Sequence, residues 1–321
     1  MGARGRNMTV TCFGILVADV FLPPLAHFPR PGELMVTEDF LFQPGGCAAN
    51  TARDLARLGV GAAVRGTVGA DVFGDLVKSQ LGHEGIDVTG VARTDEIGTS
   101  KTVILDVPGE DRRYIHTIGA NAAVRAADLD GVTFSDGDVL YVGGYLVLPG
   151  LDPEGLAARL ASAQQAGART VLDVCVPADG EVRFENVAPL LPYVDLFVPN
   201  EDEARVLSGA EEPSLQAEVF LSAGAGAVVV TRGSAGALMA AGKVRAELHA
   251  PAVEVVDGSG AGDAFAAGFI CGFVEGWPLE RSFAFATAVG ASACTALGCT
   301  AGVFSRQQAE DFVIGHSLAP A

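Results

Sequence analysis

Basic residues are scarce in this chain: 21 Lys and Arg stand against 39 Asp and Glu, for a formal net charge of -18. A protein that grips nucleic acid by neutralising phosphates carries the opposite balance. No compact Lys/Arg cluster interrupts the acidity, so an anionic polymer is not the expected partner. Paired cysteines are missing too. The six present, Cys12, Cys47, Cys175, Cys271, Cys294 and Cys299, include no C-x-x-C. A disulfide scaffold needs a denser pattern in a shorter chain, and a zinc site is read from paired spacing. Scattered through apolar surroundings, they read as reduced core thiols, which suggests a cytoplasmic protein. No secretory leader is legible, because the apolar run after the basic Met1–Asn7 is interrupted by Asp19. Charge is absent from Ser282 to Ser305, yet that stretch is built of Ala, Gly, Ser, Thr and Cys. A bilayer span needs about 20 strongly apolar residues. The stretch therefore predicts a tightly packed internal helix, then a loop carrying Gly298 and Gly302.

What the chain does contain is alternation. Short β-rich runs (Thr9–Val17, Ala62–Val68, Val139–Val142, Thr170–Val174, Leu196–Val198, Ala227–Thr231) are separated by helix-like runs. The helical runs are Ala48–Leu58, Phe73–Leu81, Pro153–Ala166 and Glu201–Leu207. Apolar strands separated by helices predict a mostly parallel sheet with helices on both faces. Two regions break the rhythm. Residues 18–44 are too long for a plain βα loop and end in a β-like run, Leu34–Gln43. Residues 99–118 read as a hairpin around a Pro-Gly-Glu-Asp turn at 108–111. The two insertions could pair into a small sheet over the edge of the main one, as a substrate lid or as simple decoration. No internal repeat or interdomain linker is present, so one domain is expected over about 8–315.

The segment with the most chemistry runs from Val255 to Phe269. It passes from a strand end through Gly258, Gly260 and Gly262 into a helix of small and apolar residues. Glycines at a helix start let a ligand approach the backbone, and the free N–H groups and helix dipole favour an anion. Asp263, in the first turn, could accept a proton from a hydroxyl attacking a phosphate. Asp257, at the strand end, could bind a polar substrate. The alternative is an ordinary strand-to-helix turn with Asp263 as a helix-terminus acid. The loop is neither a P-loop nor a Gly-x-Gly-x-x-Gly dinucleotide loop. In Pro44–Asn50, Gly45 and Gly46 open the first helix and Asn50 offers a donor and an acceptor that suit a diol. Asn200 and Glu203 form an N-x-x-E capping pattern. Glu203 could in addition help hold hydrated Mg²⁺. Thr231, Gly233 and Gly236 belong to a strand followed by a tight turn that could hold nucleotide phosphate or ribose.

Taken in order, these segments resemble the PfkB/ribokinase family of carbohydrate kinases. Gly45, Gly46 and Asn50 match its Gly-Gly-x-x-x-Asn element, Asn200 and Glu203 its Asn-x-x-Glu element, and Asp257–Phe269 its C-terminal D-x-x-G-A-G-D-x-F-x-x-G-F pattern. Smaller echoes are Pro31-Gly32-Glu33, Gly119-Ala120-Asn121 and Gly233-Ser234-Ala235-Gly236, and the match runs from about Val10 to Phe312. The resemblance implies a ribokinase-like three-layer α/β/α sandwich with a small β-sheet lid. It implies ATP and Mg²⁺, and in many members a monovalent cation such as K⁺. It makes Asp263 the base and the amides of Gly260, Ala261 and Gly262 the anion hole. Asp19, Gly45, Gly46, Asn50 and Asp257 would bind the sugar-like acceptor. Asn200, Thr231, Gly233 and Gly236 would bind nucleotide, and Glu203 metal. A homodimer through the lid is a further expectation.

The chain departs from the ribokinases proper in three places. Cys47 stands where they place Lys, Tyr141–Tyr145 carries none of the acid they use as a sugar contact, and Gly258 replaces Thr. Ribose is thus not implied as the acceptor; another pentose, a hexose, a sugar acid or a nucleoside stays open. A nucleoside kinase would need an apolar slot, for which Phe21, Phe40, Phe42 or Tyr145 are candidates. A catalytically silent sugar-binding regulator is the third reading, and the retained Asp263 argues against it.

Overall fold

The computed structural model describes residues 9–22, 25–105, 107, 113–177, 181–316 and 318. In chain order its strands begin with β1 (Val10–Gly14), β2 (Val17–Phe21), β3 (Leu41–Gly45), β4 (Ala62–Gly69), β5 (Val91–Thr94), β6 (Lys101–Leu105) and β7 (Arg113–Thr117). They continue with β8 (Val139–Gly143), β9 (Arg169–Leu172), β10 (Leu196–Phe197), β11 (Ala227–Thr231), β12 (Ala237–Ala241) and β13 (Val244–Leu248). The helices are α1 (Cys47–Arg57), α2 (Val72–His83), α3 (Pro153–Gln165), α4 (Glu201–Ser208), α5 (Pro213–Ser222), α6 (Ala261–Val274), α7 (Leu279–Ala293) and α8 (Arg306–Gly315).

Nine strands form the main sheet in the order β13-β12-β11-β10-β9-β8-β1-β4-β5. All pair in parallel except β12 and β13, which close one edge as an antiparallel hairpin. The central parallel strands are mostly apolar because helices cover both faces: β1 and β8 are buried at every position. The uncharged stretch after Arg281 is indeed a packed helix. α7 lies so close to α6 that a Cβ at Gly268 would sit 2.7 Å from Ala286 Cα, and one at Gly272 would sit 2.1 Å from Ser282 Oγ. Small residues are what allow that approach. No helix among the described residues is long and apolar enough to cross a membrane. All six cysteines are free; Cys175 and Cys294 are partly exposed and the others buried.

The two insertions pair as expected into a second sheet, β3-β2-β6-β7. β6 and β7 form the hairpin, Lys101 opposite Thr117 and Leu105 opposite Arg113, and the expected 108–111 turn lies outside the described residues. β2 joins the two insertions by running parallel to β6. Two sequence expectations need correction. The run Thr9–Val17 is not one strand. It leaves the main sheet after Gly14 and enters the lid at Val17. At the crossing, Asn121 Nδ2 donates to Leu16 O and Leu16 N donates to Asn121 Oδ1, both at 3.1 Å. One side chain thus satisfies the backbone groups that lose a ladder partner there. The run Leu34–Gln43 forms a strand only from Leu41 to Gly45. Leu34 and Val36 are almost fully exposed, so apolar residues there find no sheet to pack on.

Candidate active site

α6 starts on a turn held by Asp257. This buried carboxylate accepts from Ser259 N and Gly298 N, each at 2.7 Å, and so ties the turn to the loop after α7. Gly260 has φ 77°, and a Cβ there would lie 2.2 Å from Cys299 O. Only glycine fits. Around Gly258 and Gly262, by contrast, a Cβ would meet nothing within 4 Å. Ala264 N makes the first helical bond, to Gly260 O at 2.9 Å, so the amides before it lack intrahelical acceptors. Ala261 N turns back to Gly258 O at 3.4 Å, and the open space beside Gly258 and Gly262 lies at the positive end of the helix dipole, an arrangement suited to an anion.

Asp263 sits in the first turn, and Asn50 holds it: Asn50 Nδ2 donates to Asp263 Oδ2 at 2.9 Å. Asn50 comes from the first turn of α1, so the starts of α1 and α6 meet at one cleft. Its carbonyl oxygen Oδ1 is buried and accepts nothing among the described residues, and the same holds for Gln43 Oε1 on the lid strand β3. Opposite Gln43 in the register is Asp19, buried on β2. The glycines here serve the fold. A Cβ at Gly45 would lie 1.7 Å from Asp19 Oδ2, and one at Gly46, where φ is 88°, would lie 2.5 Å from Ile15 O.

Acidic groups converge on the cleft. Burial raises the Asp263 carboxyl above the usual carboxylate range, partly offset by hydrogen bonds from Asn50 and Cys47. Burial pushes Asp19 to about 6, with the Asp263 charge adding to it and the Thr102 hydroxyl opposing it. Glu203 is pushed to about 7, again chiefly by burial. Asp173 is raised well above its ordinary value by burial, then by the charges of Asp263 and Glu203. Four mutually repelling carboxyls in one cleft suit a cation and a phosphate-bearing ligand that brings one.

On the far side, Asn200 and Glu203 cap α4 reciprocally. Glu203 N donates to Asn200 Oδ1 and Asn200 N donates to Glu203 Oε2, both at 2.9 Å. Thr231 bridges to Asn200 at the end of β11, its N–H donating to Pro199 O at 3.1 Å. Gly233 has φ 53° and open space beside it. Gly236 is different: with φ 94°, its Cβ would sit 1.9 Å from Leu248 O, so it is required by the β12–β13 hairpin. Asp173, Asn200 and Thr231 all lie at carboxyl ends of parallel strands, where α/β sheets place their ligands. A surface hollow lined by Arg169, Asp195, Phe273 and Trp277 lies at the opposite ends of those strands.

The pattern of the pfkB family carbohydrate kinases matches residues 7–305. The chain belongs to that family. It is 28% identical over 316 residues to the ribokinase of Haemophilus influenzae, covering 95% of this chain and 98% of that one. It is 30% identical over 273 residues to the fructokinase of Salmonella typhimurium, covering 80% and 86%. Its fold superposes on the ribokinase of Thermotoga maritima with a TM-score of 0.79 and 26% identity, covering 96% and 99%. The fold is also that of Arabidopsis thaliana ribokinase complexed with ribose and ATP, at TM-score 0.77 and 22% identity. This pfkB kinase is thus a phosphotransferase with an alcohol group as acceptor, of the sugar and nucleoside kinase class.

The kinase cleft brings together Asp19, Asn50, Asp257, Glu203 and Asp263, as read from the motifs. It also holds residues that motif reading passed over. Asp173 follows β9, and its Oδ2 accepts from Gly144 N at 3.1 Å and from Tyr141 Oη at 3.3 Å. A carboxylate therefore does reach the end of β8, supplied by the neighbouring strand. Cys175, two residues on, touches Cys47, the two sulfurs 3.6 Å apart. The one local signal was the Asp-Val-Cys at a strand end, which reads equally well as a strand tail. Gln43 was legible only as part of a β-like run.

Proposed function

We propose that this kinase transfers the γ-phosphoryl group of ATP to a hydroxyl of a small sugar or sugar-like molecule. The observation that carries the reading is the Asn50–Asp263 pair, which holds a carboxylate in the first turn of a helix whose entry is open beside Gly258 and Gly262. Asp263 takes the proton of the attacking hydroxyl as its oxygen closes on phosphorus. The amides of Gly260, Ala261 and Gly262 stabilise the charge developing on the transferring group, because they are oriented before the reaction begins. Asn50 fixes the rotamer of the base. Asp257 holds the turn in shape, and any contact with the acceptor comes in addition, since a carboxylate can accept from several donors.

The two orphaned carbonyl oxygens, of Gln43 and Asn50, support a polyol acceptor, since each needs a donor when water is displaced. Asp19 would take a further hydroxyl. Asn200, Thr231 and Gly233 would receive the nucleotide, with Gly236 acting only through the hairpin it permits. The acidic cleft fits Mg²⁺, with Glu203 as the protein group bearing on it through water. When bound, Mg²⁺ supplies charge neutralisation at the phosphates. A monovalent cation such as K⁺ near the turn is part of the same proposal, as is a reducing, cytoplasmic setting, supported by the six free thiols. The test is a coupled ATPase screen over sugars, sugar acids and nucleosides, with the product position read by phosphorus NMR. Turnover of at least one free sugar is expected; turnover of nucleosides alone would replace this reading with nucleoside phosphorylation.

The lid also supports a homodimer. β7 is exposed at every position, and Phe42, Tyr114 and Ile115 are 41%, 58% and 63% exposed. Sheet edges that carry exposed apolar side chains seek partners. Sedimentation of Ile115→Lys against the parent chain tests it: a parent that is monomeric at micromolar concentration ends the proposal.

A further inference from the structure

Cys47 opens α1 and Cys175 follows β9, so the fold joins residues far apart in sequence. Their sulfurs are 3.6 Å apart. Two thiolates about 2.3 Å from a tetrahedral cation lie about 3.8 Å from each other, whereas a disulfide needs about 2.05 Å. The observed spacing, a thiol–thiol contact, excludes a disulfide and is close to that of coordination. A third donor is in place: a carboxylate oxygen of Asp173 and both sulfurs all lie within 4.8 Å of one another. Asp173 is itself oriented by Gly144 N and the Tyr141 hydroxyl, the outer support that metal-binding carboxylates have. Cys47 lies near enough to Asp263 to favour its charged form, so this cluster adjoins the proposed base.

We propose that Cys47, Asp173 and Cys175 form a site for a thiophilic divalent cation of the Zn²⁺ type, whose occupancy blocks the acceptor side of the cleft. Three protein donors leave the fourth position open toward the cleft, and a hard cation such as Mg²⁺ is not suited to sulfur. Binding displaces the two thiol protons, so each cation taken up releases protons to solvent. The cation then lies beside the carboxyl that must accept the acceptor's proton, and phosphoryl transfer stops. This last step rests on the kinase reading; the binding does not.

The experiment titrates Cd²⁺ and Zn²⁺ into the purified full chain, kept reduced with a phosphine. The expected result is one equivalent bound, a cadmium–thiolate charge-transfer absorption, proton release, and Zn²⁺ inhibition of turnover that a chelator reverses. Cys175→Ser should lose the absorption, bind the cation more than ~100-fold more weakly, beyond what loss of an outer partner costs, and be insensitive to Zn²⁺. Cys294→Ser should behave as the parent. Because Cys175 is partly exposed, its variant serves even if Cys47→Ser does not fold. No absorption in the parent chain would overturn the proposal, as would absorption that survives in Cys175→Ser. A Cys47–Cys175 disulfide that resists the phosphine and excludes the cation would also overturn it. Binding in a chain that phosphorylates nothing would keep the site and remove the kinase reading instead.

Discussion

The cleft has two glycine-bearing turns, and their glycines do different things. At the start of α1, Gly45 and Gly46 are consumed by the fold: added methyls would run into the Asp19 carboxylate and Ile15 O. At the start of α6, Gly260 is likewise consumed, by Cys299 O, but Gly258 and Gly262 border empty space. Both turns look alike as motifs. The difference teaches that a glycine conserves room either for the protein's own atoms or for a ligand's, and only the second kind marks a binding surface.

Substitutions separate the two kinds. The largest effect is expected where both turns converge. Asp263→Asn should lower kcat by ~10²–10⁴, the scale of a general base, while calorimetry still detects ATP binding. Near-normal turnover would show that the base is elsewhere. Next, Gly262→Ala should lower kcat by about 10²-fold, as loss of one anion-hole contact does, yet leave the thermal midpoint unchanged or slightly higher. Alanine is better than glycine in a helix by about 1 kcal/mol, and no protein atom opposes its methyl. If kcat and midpoint both stay put, the turn has no part in the reaction. Gly45→Ala should give the reverse signature, a loss of ~1–3 kcal/mol of stability from overpacking, measured by denaturant unfolding. Full stability there would erase the contrast between the turns.

The smallest effect lies in the interior of α1. Asp54 is wholly buried and neither of its oxygens has a hydrogen-bond partner among the described residues. Burial holds its carboxyl well above the usual range. The folded chain keeps a proton that the unfolded chain loses as pH passes about 4, the ordinary carboxylate value. Stability therefore falls as pH rises above that point, until the folded-state value is passed. Asp54→Leu removes the burden and should stabilise by ~1 kcal/mol or more, with the gain growing from pH 5 to pH 8 in paired melting curves. A gain independent of pH would mean that the carboxyl is not the cause.

How much of this the sequence disclosed depends on the range of the interaction. Local patterns predicted the parallel sheet, the pairing of the two insertions, the Asn200–Glu203 cap and the placing of Asp263 in a first turn. The cap and the first turn rest on neighbours within a few residues, and the sheet and the insertions on the spacing of apolar runs along the chain. The break at Ile15–Leu16 was hidden because both sides are equally apolar, and the residue that makes it, Asn121, lies 105 positions away. Leu34 and Val36 misled for the opposite reason, apolar side chains with nothing to cover them. Asp173 and Cys175 were invisible as site residues because only the adjacency of β8 and β9 brings them to the cleft. The contact between Cys47 and Cys175 was hidden in the same way, because the two are 128 residues apart. The β12–β13 hairpin escaped because the close approach that fixes Gly236, to Leu248 O, lies outside its local pattern.

The passage of β1 into β2 has a mechanical meaning. One strand belongs to the rigid floor and, two residues later, to the cover, carrying Asp19 with it. Any tilt of the cover about Leu16 therefore swings Asp19 through the same angle, like a finger fixed to a door. With Asp19 binding the acceptor as proposed, a cleft whose cover stands ajar would also lose its grip on the acceptor, and shelter from water and correct grasp would arrive in a single movement.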